Sequence, residues 1–250
     1  MPKVLAFIPA RFASSRFPGK PLIDLNGKPM IQRVWEQACK AKGLDAVYVA
    51  TDDKRIASAV KAFGGQAVMT PVDCPSGTDR IAAALKKIGK VKDQAIIVNV
   101  QGDEPLLPPA MIEQLVKAIK KTGAPMATLA RPLSQVEYLN PNNVKVLWDA
   151  KGLALYFSRS PIPFHRDEAG ILPPGQRLGL HVGLYAYRAG FLRKLAKAKP
   201  SPLELAEKLE QLRVLDMGER IAVAFTKADS QAIDTPEDAA KVRELISGAG

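Results

Sequence analysis

The chain has 250 residues, 47% of them hydrophobic, which is enough to bury a core and too many for a disordered segment. No apolar run approaches the roughly 18 residues that a membrane span requires, so a spanning protein is excluded. Lys and Arg number 36 against 25 Asp and Glu, a formal charge of +11; the lysines are dispersed over helix-like faces (Lys117, Lys120, Lys197, Lys208) without interleaved aromatics, so no nucleic-acid surface is expected.

The first apolar run, Val4–Ile8, is closed by Pro9 and Arg11 and lacks a basic leader and a cleavage site. It reads as a first strand and not as a signal peptide. Helical periodicity over Met30–Ala41 is followed by a strand at Ala46–Thr51, a helix at Lys54–Phe63 and a strand at Ala67–Met69. The pattern continues with a helix at Asp79–Ile88, a strand at Ala95–Val100, a helix at Ala110–Lys121 and a strand at Met126–Ala130. Strands then crowd together at Val144–Trp148, Leu155–Phe157 and His181–Tyr187. Helices at Phe191–Lys197 and Glu204–Leu215, a strand at Ile221–Phe225 and a helix at Glu237–Ile246 complete the chain. Asp53, Ser201 with Glu204, and Thr235 before Pro236 supply the expected N-terminal caps.

Strands alternating with helices predict an α/β fold with a mostly parallel sheet. One domain is expected, with a nucleotide-binding part over about 1–132 and a smaller mixed-sheet part over 133–250. The segment from Ser160 to Gly175, rich in proline and glycine, reads as a lid or a dimer arm. Cys39 and Cys74 cannot form a disulfide framework, and a reducing, cytoplasmic location fits them. Two histidines do not make a zinc centre.

No Walker loop, dinucleotide fingerprint or nucleophile elbow is present. Instead, strand one runs into a loop holding Arg11, Ser14, Arg16 and Lys20 with Pro18 and Gly19. Ligands of open α/β sheets bind beyond the carboxyl ends of strands, and this loop is suited to a triphosphate. The strand at Ala95–Val100 ends in Gln101-Gly102-Asp103-Glu104-Pro105. A carboxylate there, facing a phosphate loop, is a natural Mg²⁺ ligand, although a plain turn explains it equally. Ser76-Gly77-Thr78-Asp79-Arg80 opens a helix with small residues, as a plain cap or as a surface for close ligand approach. Asp234 reads as a helix-start residue or as a second metal ligand. His181 lies in an alternating run, where a structural role is the commoner one. Cys74 has no histidine partner and is not expected to be a nucleophile.

Taken together, these stretches resemble a family. Ile8-Pro9-Ala10-Arg11, then Ser14, Arg16 and Pro18-Gly19-Lys20-Pro21-Leu22, is similar to the opening signature of CTP-dependent sugar nucleotidyltransferases. The Ser76–Arg80 and Gln101–Pro105 stretches, Phe157-Ser158-Arg159, His181 with Gly183 and Tyr185, Glu210-Gln211-Leu212-Arg213 and Asp234–Asp238 follow in the order of the 3-deoxy-manno-octulosonate cytidylyltransferase family. The resemblance runs from about residue 3 to residue 246.

It implies a nucleotide-diphospho-sugar transferase (Rossmann-like) fold, a homodimer, and transfer of CMP from CTP to 3-deoxy-D-manno-octulosonate (Kdo) with release of pyrophosphate, for lipopolysaccharide biosynthesis. By the same resemblance Lys20, Arg11, Asp103 and Asp234 are catalytic, with Mg²⁺ on Asp103 and Asp234. Ala10, Arg11, Ser14, Arg16, Lys20, Ser76, Gly77 and Gln101 bind the nucleotide. Arg80, Arg159, His181, Tyr185, Glu210 and Gln211 face the sugar acid. This chain has Cys74 where members carry a histidine, and Leu180 where they carry a basic residue. A related branch acts on the 8-amino analogue of Kdo, and sialic acid cytidylyltransferases share the opening motif. A basic nucleotide- or RNA-binding module is the alternative of a different class.

Overall fold

In a computed structural model the structure describes residues 2–13, 17–175 and 177–248. The chain forms two compact units: the first runs through Glu113 and resumes at Asp229, and the second is Gln114–Ala228. The last helix therefore belongs with the N-terminal unit, a division that differs from a cut at residue 132.

In the first unit β1 (Val4–Ala10), β2 (Ala46–Thr51), β3 (Gln66–Met69) and β4 (Ile96–Asn99) lie in the order β3-β2-β1-β4, every pairing parallel. They are joined through α1 (Met30–Lys40), α2 (Lys54–Ala62) and α3 (Gly77–Lys87). Strands β1 and β4 are buried almost throughout, as covered parallel strands must be. Each helix lays an apolar stripe on the sheet, Met30, Ile31, Val34 and Ala38 in α1 and Ile56, Ala57 and Val60 in α2. Asp53 caps α2 by accepting from the Arg55 amide, and Ser76 caps α3 by accepting from Asp79.

Helix α4 (Pro109–Thr122) carries the chain into the second unit. There β5 (Met126–Arg131) is antiparallel to β8 (Leu178–Arg188) and parallel to β9 (Ile221–Phe225). Strand β6 (Lys145–Trp148) pairs antiparallel with both β7 (Ala154–Ser158) and β8. Strand β8 starts at Leu178, three residues before the expected His181. Gly179 is needed inside the strand: a Cβ there would stand 2.7 Å from the Arg131 carbonyl.

The single helix expected over Glu204–Leu215 is corrected. After α5 (Gln135–Leu139) and α6 (Ala189–Leu195), the chain forms α7 (Pro202–Glu207) and a separate α8 (Gln211–Asp216), before β9 and α9 (Pro236–Gly248). Lys208 takes a left-handed conformation, φ 55°, and ends α7. The Arg213 guanidinium then bonds both carboxylate oxygens of Glu204 and braces the two short helices.

Candidate active site

A cavity of about 490 Å³ opens in the first unit, lined by the ends of β1 and β4 and the start of α3. Its wall includes Ala10, Arg11, Lys20, Ser76, Gly77, Arg80, Gln101, Asp103 and Asp234. The site residues expected in this unit thus converge, apart from Ser14 and Arg16, which lie outside the described residues.

Local sequence explains the convergence. The loop after β1 is clamped at its base, where the Gly19 amide donates to the Phe12 carbonyl at 3.0 Å. Gly19 has φ 73°, and a side chain there would press on the Phe12 ring. Above that ring lies the Arg55 guanidinium, 3.3 Å from its centroid and held by Asp53. A 3₁₀ turn, Lys20–Leu22, follows immediately and aims Lys20 inward. Gly102 lets the turn after β4 approach β1, because a Cβ at that position would lie 2.8 Å from the Pro9 carbonyl. Gly77 likewise rests against Pro9.

The Lys20 ammonium bonds Asp103 Oδ2 at 2.9 Å, Asp234 Oδ1 at 3.2 Å and the Ile233 carbonyl at 2.5 Å. Residues more than 200 positions apart in sequence meet there, and the Ile233 amide donating to the Asp103 carbonyl ties their backbones together. Among the described residues no cluster of three or more His, Cys, Asp or Glu side chains forms a metal cage. Two carboxylates and a carbonyl already hold a cation, which is the donor set of a hard ion that shares its shell with phosphate and water oxygens.

Behind Asp103, burial and the neighbouring charges of Asp103 and Asp229 push the Glu104 carboxyl up to about 7. Arg80 touches the cavity, but its guanidinium is bonded to Asp52, Thr70 and the Pro71 carbonyl and is only 4% exposed. Cys74 also lines the cavity. Burial pushes its thiol up, away from the thiolate a nucleophile needs.

In the second unit four expected residues cluster. The His181 ring stands edge-on to Phe157 at 5.1 Å and lies 5.5 Å from Tyr185. The Tyr185 hydroxyl reaches Gln211 Oε1 at 3.4 Å. Burial raises the Tyr185 phenol well above its usual value, with Glu210 adding to the shift. Gln211 is 4% exposed, and its Nε2 has no hydrogen-bond partner among the described residues. Arg159 stands apart from this cluster, with Nε on the Glu207 carbonyl and Nη1 on that of Pro141.

Sequence reasoning missed Lys145, which is fully buried and donates to the carbonyls of Asn140, Asn143 and Arg159. A lysine inside an apolar strand run was the available signal. Leu180 is 7% exposed and alternates with His181, so it lies on the opposite, core-facing side of β8.

The cytidylyltransferase family model matches residues 5–221. The chain is 52% identical over 244 residues to the 3-deoxy-manno-octulosonate cytidylyltransferase of Aliivibrio fischeri (strain MJ11), which covers 96% of this chain and 97% of that one. With the enzyme of the same name from Geobacter sulfurreducens it is 51% identical over 251 residues, 97% of this chain and 99% of that one. A CMP:2-keto-3-deoxy-manno-octonic acid synthetase solved in complex with CTP superposes with a TM-score of 0.90 at 42% identity, over 99% of this chain and all of that one. A cytidylyltransferase from Leptospira borgpetersenii shares the fold, with a TM-score of 0.65 at 18% identity over 99% of this chain and 88% of that one. The expected α/β fold is thus confirmed, and the chain belongs to the cytidylyltransferase family, among the 3-deoxy-manno-octulosonate cytidylyltransferases.

Proposed function

We propose that this chain activates Kdo with CTP, giving CMP-Kdo and pyrophosphate, with Asp103 and Asp234 holding Mg²⁺. The observation that carries the reading is the Lys20 ammonium seated between those two carboxylates on the cavity wall. The full-length relatives that bear the enzyme's name support the same chemistry. When bound, Mg²⁺ neutralises phosphate charge and makes an attacking hydroxyl easier to deprotonate.

The chain's own residues supply position and charge. Arg11 and Lys20 hold the triphosphate, and the small residues Ala10 and Gly77 leave room for base and ribose beside Ser76 and Gln101. The anomeric hydroxyl of the sugar attacks the α-phosphorus in line. The bond to the pyrophosphate oxygen breaks, and its negative charge develops beside Lys20 and Arg11. Aligning two anions and neutralising their charge is the main demand of such a transfer. Arg159, His181, Tyr185, Glu210 and Gln211 bind the sugar acid.

We further read the protein as a cytoplasmic homodimer serving lipopolysaccharide assembly. Val136, Leu139, Phe164 and Ile171 are exposed on α5 and on the loop bonded to it, and monomers rarely show such apolar groups together. Gln135 fixes that loop through the Gly170 carbonyl and the Leu172 amide, and Tyr138 through the Pro163 carbonyl.

Pyrophosphate release with CTP and Mg²⁺, offering Kdo, its 8-amino analogue and a sialic acid in parallel, tests the substrate. Release with Kdo is expected. Preference for the amino sugar would make Cys74 a specificity determinant, and silence with all three would overturn the reading.

A further inference from the structure

We infer that Thr128 is a positioning residue that fixes His181 with its proton on Nε2, so that the Nδ1 lone pair is offered to a sugar hydroxyl. This rests on the proposed reading of His181 as a sugar contact. The pairing of β5 with β8 slips at this point: Thr128 faces Tyr185, whereas Leu129 faces Val182. Gly183 and Leu184 are the extra residues of a bulge, a device that re-aims side chains beside sites.

Thr128 is fully buried under the bulge. Its hydroxyl lies 3.1 Å from the Val182 carbonyl, 3.0 Å from that of Leu184 and 3.0 Å from His181 Nε2. A hydroxyl has one proton and two lone pairs, and a carbonyl only accepts. The two carbonyls therefore claim the proton, and a lone pair faces Nε2, which must carry hydrogen. Donation to Nε2 instead would deprive both carbonyls of this bond in a buried place.

Burial also pushes the imidazole down to about 3, so the ring is neutral and carries one N–H. Phe157 and Tyr185 fix its plane, and Nδ1 has no hydrogen-bond partner among the described residues. A neutral acceptor accepts a hydrogen bond from a hydroxyl and repels a carboxylate. His181 thus selects for a hydroxyl at its place in the sugar acid.

The chain has two histidines, so ¹⁵N-histidine NMR of the intact protein, with a His165→Gln variant for assignment, reads the tautomer directly. At neutral pH the wild type should show a protonated Nε2 and a lone-pair Nδ1, and adding Kdo should shift the Nδ1 resonance. Thr128→Val should scramble the tautomer and raise the KM for Kdo about tenfold while kcat stays within about twofold. Thr128→Ser should restore both.

A wild-type ring protonated on Nδ1, or charged, overturns the inference. So does a Thr128→Ser variant that behaves like Thr128→Val. The wild-type spectrum and the serine variant decide the matter even where the valine variant fails to fold. A wild type with the expected tautomer that makes no CMP-Kdo overturns the functional reading alone.

Discussion

Asp103→Asn keeps the shape of the side chain and removes the charge that faces Lys20. Turnover should fall by about 10²–10³, the range found when one preorganised electrostatic partner is lost, with circular dichroism unchanged. Lys20→Ala should cost a similar factor, because it removes the cation from the departing charge. Near-normal rates in either variant would take that residue out of the site. His181 gives a pH signature. Its folded pKa of about 3 lies below the ordinary histidine value of 6.5, so the unfolded chain takes up the proton first as pH falls. The stabilisation is complete above pH 6.5 and is lost progressively from there toward pH 3, by at most about 1.4 kcal/mol per pH unit. Urea unfolding at pH 7 and pH 5 should show this loss in the wild type and a smaller one in His181→Gln.

At the scale of elements, the turn after β4 depends on Gly102. An alanine Cβ would meet the Pro9 carbonyl at 2.8 Å, so Gly102→Ala must move the turn that carries Asp103. A loss of about 1–3 kcal/mol together with a drop in kcat is expected from thermal unfolding and initial rates. Gly248→Ala, at a helical glycine with nothing within 4 Å of its Cβ, should leave kcat unchanged. The elements legible in the sequence were those with local causes. The caps at Asp53 and Ser201 are written in neighbouring residues, and Ala46–Thr51 and Ile221–Phe225 have the expected ends. Helix α5 carries a capping box between Ser134 and Glu137; the signal was present, but the helix is too short for periodicity to stand out. The break between α7 and α8 was not legible, because a lysine in the left-handed region, as at Lys208, leaves no mark in the residue type. The meeting of Lys20 with Ile233 and Asp234, the burial of Glu104 and the bond between His181 and Thr128 depend on residues brought from distant parts of the chain. Periodicity carries no trace of such contacts.

On the scale of the whole molecule, the charge of +11 suits a protein whose two proposed substrates are anions, since a positive field raises their encounter rate. The exposed Val136 and Phe164 suit an interface. Phe164→Asp should shift sedimentation toward the monomer, and an unchanged dimer would move the interface elsewhere. The most direct test follows CTP, Kdo and Mg²⁺ by ³¹P NMR in one tube. CMP-Kdo and pyrophosphate should appear in equal amounts, and only when all three components are present. Pyrophosphate without the sugar, or no turnover with all three, would contradict a site built to carry CMP from CTP to Kdo.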